Sequence, residues 1–167
     1  IHHDLGYAYY EQNVYDSTML YYYKALEEKK QAGNSLSAAV TLNGLGLVQR
    51  MRNNIGSSRE YYTEALGIYE KAGDRRMLSV MMNIATLYNL QKQYDSATAV
   101  FNRVYQLAEG YKDPNLMFSA KVNIALGLNY QYKYAEALPV FLELSKDPRV
   151  KQIEDLNNAE LLIWIYH

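Results

Sequence analysis

Cysteine is absent from the 167 residues, tryptophan occurs once, and phenylalanine and proline three times each. Without cysteine there is no disulfide framework, no thiol nucleophile and no thiolate zinc site. So little proline, with only nine glycines, argues against both a disordered chain and a turn-dense β protein. An excess of one charge is also missing. Lys and Arg number 17 against 18 Asp and Glu, for a formal net charge of −1. That balance offers no general attraction for a phosphate backbone, so nucleic-acid binding by this segment is not expected. No apolar run approaches the roughly 18 residues that a membrane-spanning helix requires, and no secretory signal pattern opens the sequence. What is present is an apolar fraction of 49%, enough for a core, and 18 tyrosines. Tyrosine joins an apolar ring to a wet hydroxyl and suits half-buried surfaces.

The sequence repeats itself. Tyr15-Asp16-Ser17-Thr18, Ile55-Gly56-Ser57-Ser58, Tyr94-Asp95-Ser96-Ala97 and Tyr134-Ala135-Glu136-Ala137 read alike, and their opening residues are 40, 39 and 40 apart. About ten residues upstream stands a large apolar residue followed by a small one: Leu5-Gly6, Leu45-Gly46, Ile84-Ala85 and Ile124-Ala125. The steps are again 40, 39 and 40. Seven residues after each opening residue comes an aromatic: Tyr22, Tyr62, Phe101 and Phe141. Three columns holding one spacing through four copies mark a repeat array.

Within each copy the period is helical. Leu42, Leu45, Val48 and Met51 recur every three residues, as do Met81, Ile84 and Leu87 with Tyr88 beside them. Polar breaks at Asn53-Asn54, Gln91-Lys92-Gln93 and Tyr132-Lys133 divide each copy into two helices. Asp16 or Ser17, and Asp95 or Ser96, are expected to cap the second helix. Gly33-Asn34, Gly73-Asp74, Gly110 and Asp113-Pro114 supply stop signals. The expected helices are 1–12, 16–32, 35–52, 56–72, 75–91, 95–109, 114–131, 135–146 and about 150–167. Pro139 should bend or shorten the eighth. The repeats run 1–33, 34–73, 74–112 and 113–149, with a partial copy at 150–167, in a single array. Both ends fall inside a repeat, so the sequence reads as a stretch of a longer protein. Phe101, if buried as the pattern requires, should cost on the order of 3–5 kcal/mol when removed.

These columns resemble the tetratricopeptide repeat. Leu5-Gly6-x-x-Tyr9 with Thr18 and Tyr22 matches its motif, as do Leu45-Gly46 with Ser58, Tyr62 and Ala65. Ile84-Ala85-x-x-Tyr88 with Ala97 and Phe101, and Ile124-Ala125 with Ala137 and Phe141, complete the set. The early Trp of the family is replaced by His2, Leu42, Met81 and Lys121, and its closing Pro is missing. The period is near 40 rather than about 34, lengthening each helix pair. The resemblance implies an all-α, right-handed superhelix of about four and a half helix-turn-helix repeats, a TPR-like solenoid.

It further implies that the first helices line a concave wall. The residue before the large-small pair faces the groove: Asp4, Gly44, Asn83 and Asn123, with Asn43 one place earlier. Asn at this place often binds the backbone of a ligand peptide, because it offers both a donor and an acceptor. One turn on come Tyr7, Leu47, Thr86 and Leu126. Then follow Tyr10, Arg50, Asn89 and Asn129, beside Glu11, Met51, Leu90 and Tyr130. Residues 83, 86, 89 and 90 share a helix face. The Lys and Arg cluster that grips a C-terminal carboxylate in some chaperone-binding relatives is not evident.

Other candidates have plainer readings. His2 and His3 are adjacent, about 100° apart on a helix, and lack the i, i+4 spacing of a metal pair. Glu27-Glu28-Lys29-Lys30 is a solvated face. Arg75-Arg76 is a helix-start surface, and Gly44-Leu45-Gly46 marks close packing rather than a phosphate loop. Tyr21-Tyr22-Tyr23 and Tyr61-Tyr62 fan around their helices, so one ring of each group points inward. No catalytic constellation is recognisable, and neither an enzyme nor a cofactor is expected. The expected role is a scaffold holding a protein or peptide partner, as an extended or helical segment, in the groove. The repeats also look like the sensory arrays of bacterial signalling proteins joined to a histidine kinase or DNA-binding output. A third possibility is a peptide-pheromone receptor of the Rap type. A cytoplasmic setting is preferred, with a periplasmic one if the segment belongs to a membrane-anchored sensor.

Overall fold

The computed structural model describes residues 1–150, and these form eight helices: α1 (His2–Glu11), α2 (Tyr15–Gln31), α3 (Ser35–Met51), α4 (Ile55–Ala72), α5 (Met77–Leu90), α6 (Tyr94–Gly110), α7 (Pro114–Tyr130) and α8 (Tyr134–Leu144). The expected ninth helix and partial fifth repeat lie outside the described residues. None of the described helices is long and apolar enough to cross a membrane.

One turn is used seven times. The backbone N–H of Val14, Asn34, Asn54, Asp74, Gln93, Asp113 and Lys133 each donates to the carbonyl five residues earlier, at 2.8–3.0 Å. The residue just before each donor has a positive φ: Asn13, Gly33, Asn53, Gly73, Lys92, Lys112 and Tyr132. This is the Schellman closure, in which a left-handed residue turns the chain and its neighbour satisfies an orphaned helix carbonyl. The turns recur every 20 residues except between Gly73 and Lys92, which are 19 apart. That deletion and a late start leave α5 with 14 residues, where most of its neighbours have 17 or 18.

The cap assignments need correction. α2 and α6 start one residue earlier than expected, so Val14 and Gln93 occupy the cap positions and no side chain caps either helix. The closing turn already orients the chain, and Asp16 and Asp95 in the first turns reach Arg52 and Lys133 in the turns that follow α3 and α7, at 2.6 and 3.2 Å. Gly110 is the last residue of α6 and not its stop; the left-handed residue is Lys112. α5 begins at Met77, not 75, because Asp74 folds back to accept from the Arg76 backbone N–H at 2.9 Å. Asn34 and Asp113 do cap α3 and α7, accepting from Ser37 and Leu116 at 3.0 Å. α8, which contains Pro139, has 11 residues.

The described chain divides into two compact units, the first ending at Leu87 and the second starting at Tyr88. In the first, Tyr22, Leu42, Leu45, Val48, Tyr62, Ala65, Tyr69 and Val80 are buried together. The small residues of the repeat explain the approach of the helices. A Cβ on Gly6 would lie 2.5 Å from the ring of Tyr22, and one on Gly44 would lie 2.8 Å from the same ring. A Cβ on Gly46 would lie 2.5 Å from the ring of Tyr62. Tyr22 is therefore wedged between α1 and α3. Ser58, buried on α4, donates to the Gly46 carbonyl at 2.7 Å and ties α4 to α3. In the second unit Ala125 of α7 packs with Ala137, Phe141 and Leu144 of α8. Phe101 and Val104 of α6 are fully buried.

Gly46→Ala should lower stability by about 1–3 kcal/mol, since the fully buried Tyr62 ring has nowhere to retreat. Gly67→Ala, in the middle of α4 with open space at its Cβ, should raise it by about 0.5–1 kcal/mol. Urea titrations of the two variants beside the parent chain measure both signs.

Candidate functional site

The candidate wall residues lie on α1, α3, α5 and α7. In the first unit Asn43 and Asn83, 40 residues apart and both half-buried, pair through their side chains: Asn83 Nδ2 donates to Asn43 Oδ1 at 3.0 Å. The pairing fixes both amides. Among the described residues it leaves Asn43 Nδ2 and Asn83 Oδ1, one donor and one acceptor, without further partners. Gly44, which the repeat register places in the groove column, is taken up by the Tyr22 ring.

Other members of the wall vary in their surroundings. Asp4 and Tyr7 are exposed, while Tyr10, Leu47 and Arg50 are half-buried. Thr86 is half-buried too, but its hydroxyl donates to the Met82 carbonyl at 2.9 Å. In the second unit Asn123 is half-buried, yet its Nδ2 donates to the Ser119 carbonyl of its own helix at 2.8 Å, so its amide donor is partly spent. Leu126 is half-buried and Tyr130 is exposed, its ring stacked on Tyr94 with centroids 5.6 Å apart. Asn129 is only 6% exposed.

The unexpected feature lies one turn further along. Arg50, Asn89 and Asn129 occupy the same place in successive repeats, and each has a buried polar atom without a hydrogen-bond partner: Arg50 Nε, Asn89 Oδ1 and Asn129 Oδ1. The hydroxyl of Tyr62 and, in the second unit, Thr98 Oγ1 and Gln131 Nε2 share that condition. Each such atom costs about 1–3 kcal/mol while unmatched. Sequence spacing selected the column but gave no sign that its polar atoms would be buried and unmatched.

The tyrosine-rich second helices behave as structural surface. Tyr21 stacks on Tyr9, centroids 5.4 Å apart, while Tyr22 is buried and Tyr23 meets the Tyr61 hydroxyl at 2.9 Å. Burial pushes Tyr22 up to about 12. Among the described residues no group of three His, Cys, Asp or Glu could hold a metal ion. His2 instead bonds Glu28 at 2.6 Å, and His3 lies 3.1 Å from the buried Thr41 hydroxyl and stacks on Tyr22.

Solved structures were compared with this arrangement. The chain is similar to aspartyl phosphate phosphatase F from Bacillus subtilis, with a TM-score of 0.77 and 26% identity over 86% of this chain and 38% of that one. It is similar to BtubC (BKLC) from P. vanneervenii, with a TM-score of 0.78 and 18% identity over 92% and 63%. A Podosopora anserina protein named for kinesin light chain, with nearly identical TPR-like repeats, matches with a TM-score of 0.73 and 12% identity over 98% and 91%. The fold is thus an all-α, TPR-like helical repeat solenoid. The chain spans 38% of the phosphatase and 63% of BtubC. No family model matches the sequence, and no curated protein does.

His3 gives the first unit a pH dependence. Burial, reinforced by Lys29, holds its imidazole below the usual value near 6.5. Between the two values the unfolded chain binds more protons, so this contribution to stability is complete above pH about 6.5 and is lost as the pH falls below it. His3→Phe keeps a ring against Tyr22 and cannot be protonated. Its denaturation midpoint should fall less between pH 7.5 and pH 5 than that of the parent.

Proposed function

We propose that the chain is a non-catalytic scaffold that holds an extended or helical polypeptide segment along the wall formed by its first helices. The observation that carries this reading is the Asn43–Asn83 pair on α3 and α5, whose half-buried amides keep one donor and one acceptor without a partner. A polypeptide ligand brings N–H and C=O groups at short intervals whatever its sequence. Such groups can satisfy amide acceptors and donors whose pairing is incomplete inside the chain. In the first unit the ligand also covers half-buried Leu47 and the exposed Tyr7 ring. No cofactor enters this mechanism, and the solved TPR-like structures support the scaffold it needs.

A second reading has one observation in its favour. The likeness at 26% identity is to part of a protein whose name is that of an aspartyl phosphate phosphatase from Bacillus subtilis. On that reading the repeats are a sensory or regulatory segment of a bacterial signalling protein, occupied by a short peptide or by a partner domain. Both readings use the same wall and differ in what lies beyond it.

A displayed nonapeptide library panned on the 167-residue chain tests the shared claim. Selected peptides should lose about ten-fold or more in affinity on Asn83→Ala/Asn123→Ala, read by calorimetry, with little change in the thermal midpoint. Unchanged affinity for the double variant would remove these asparagines from the site.

A further inference from the structure

Of the run Glu27-Glu28-Lys29-Lys30 only Lys29 is half-buried, the other three being exposed. It also differs from other lysines in its partner. Lys30, Lys121 and Lys133 each hold a carboxylate: Glu64 at 3.2 Å, Glu143 at 2.6 Å and Asp95 at 3.2 Å. Lys29 has no such counter-ion among the described residues. Its Nζ donates at 2.6 Å to the hydroxyl of Thr41, a residue that is 0% exposed. Asp4 and Glu28 attract it without pairing with it, and Glu28 bonds His2 at 2.6 Å. The same Thr41 oxygen lies 3.1 Å from His3 Nδ1, so α1, α2 and α3 meet at one buried hydroxyl. An ammonium can only donate, so Thr41 accepts from Lys29. Its own proton is left for His3 Nδ1 or, at 3.4 Å, for the Ser37 carbonyl. A neutral imidazole makes Nδ1 the nearer acceptor, and amine, hydroxyl and imidazole then form a chain along which a proton can leave. Burial is the main reason that Lys29 and His3 are both held below their ordinary values. Lys29 also lines a cavity of about 190 Å³ with Lys30, Gly33, Ser35, Ala38 and Ile68.

An ordinary lysine is almost wholly ammonium at neutral pH and is no nucleophile in that form. A lysine whose end is desolvated and whose proton has a route away is the opposite case. We propose that Lys29 is a nucleophilic amine, acylated by a small acyl phosphate that enters the cavity beside it. Nζ attacks the acyl carbon, the bond from that carbon to the phosphate oxygen breaks, and inorganic phosphate leaves. The proton lost by the amine passes to the Thr41 hydroxyl, whose own proton goes to His3 Nδ1 and, from that half-buried ring, to solvent. Lys30 lines the same cavity and has three N–H groups, of which Glu64 takes one, so others remain for the phosphate. The amide that forms keeps one N–H for Thr41 and removes the charge from the junction. This site is separate from the wall of first helices and does not depend on that wall binding a polypeptide.

The 167-residue chain is treated with acetyl phosphate at pH 7.5, and acetylation of each lysine is followed by mass spectrometry of its peptides. Lys29 should react about ten-fold or more faster than the exposed Lys24 and Lys71. That comparison lies within the parent chain and needs no variant. In His3→Phe, once a melting curve shows it folded, the Lys29 rate should fall several-fold while those of Lys24 and Lys71 stay unchanged. In concentrated urea the three lysines should react alike. A folded chain in which Lys29 reacts no faster than Lys24 and Lys71 would overturn the proposal. So would a lead that survives undiminished in His3→Phe or in urea, because it would owe nothing to the junction.

Discussion

A tyrosine ring laid on a glycine sets the spacing of the first unit. Tyr22 fills the gap between Gly6 of α1 and Gly44 of α3, and Tyr62 lies on Gly46 at distances no Cβ would permit. The contact allows the first and second helices to approach, and it buries the rings that a single helix pair could not shelter. It also has an electrostatic consequence. A tyrosine in that place carries its hydroxyl into the core, where Tyr62 finds no acceptor. The equivalent residues of the second unit, Phe101 and Phe141, carry no hydroxyl, and there the buried unmatched atoms belong to Asn89, Thr98, Asn129 and Gln131.

The turns impose the second constraint. A left-handed residue and a six-to-one backbone bond close the first seven helices, with a step of 20 residues that breaks once. Uniform turns hold equivalent residues of successive first helices in register, and so Asn43 and Asn83 meet at a separation of 40. Five of the seven left-handed positions are not glycine. Some strain is thus accepted at the turns, of order 1 kcal/mol apiece, and must be repaid by the packing the turns allow.

The eight described helices, the order of first and second helices and the buried columns were legible in the sequence because each rests on a spacing. Thr18, Ser58, Ala97 and Ala137 are all buried, as the repeat requires. The caps were not legible. Asp16 and Asp95 have the chemistry of a cap residue but sit one place too far along, and their carboxylates serve cross-repeat ion pairs. Lys92, Lys112 and Tyr132 carry no sign in their chemistry that they adopt a left-handed backbone. The wall was readable as a column of positions, but the state of its polar atoms was not. Whether an amide is spent inside its own helix, as in Asn123, or paired across a repeat, as in Asn83, depends on rotamers that spacing does not encode.

The account depends on one surface, that of the first helices, being where another polypeptide is held. Site-directed photocrosslinking addresses it most directly. A photoreactive residue placed at Leu47 on α3 is compared with one at Leu20, exposed on α2, in the presence of a selected peptide. Covalent capture at Leu47 with none at Leu20 is the predicted result. Capture at Leu20 and not at Leu47 would contradict the account, because it would put the ligand on the second helices.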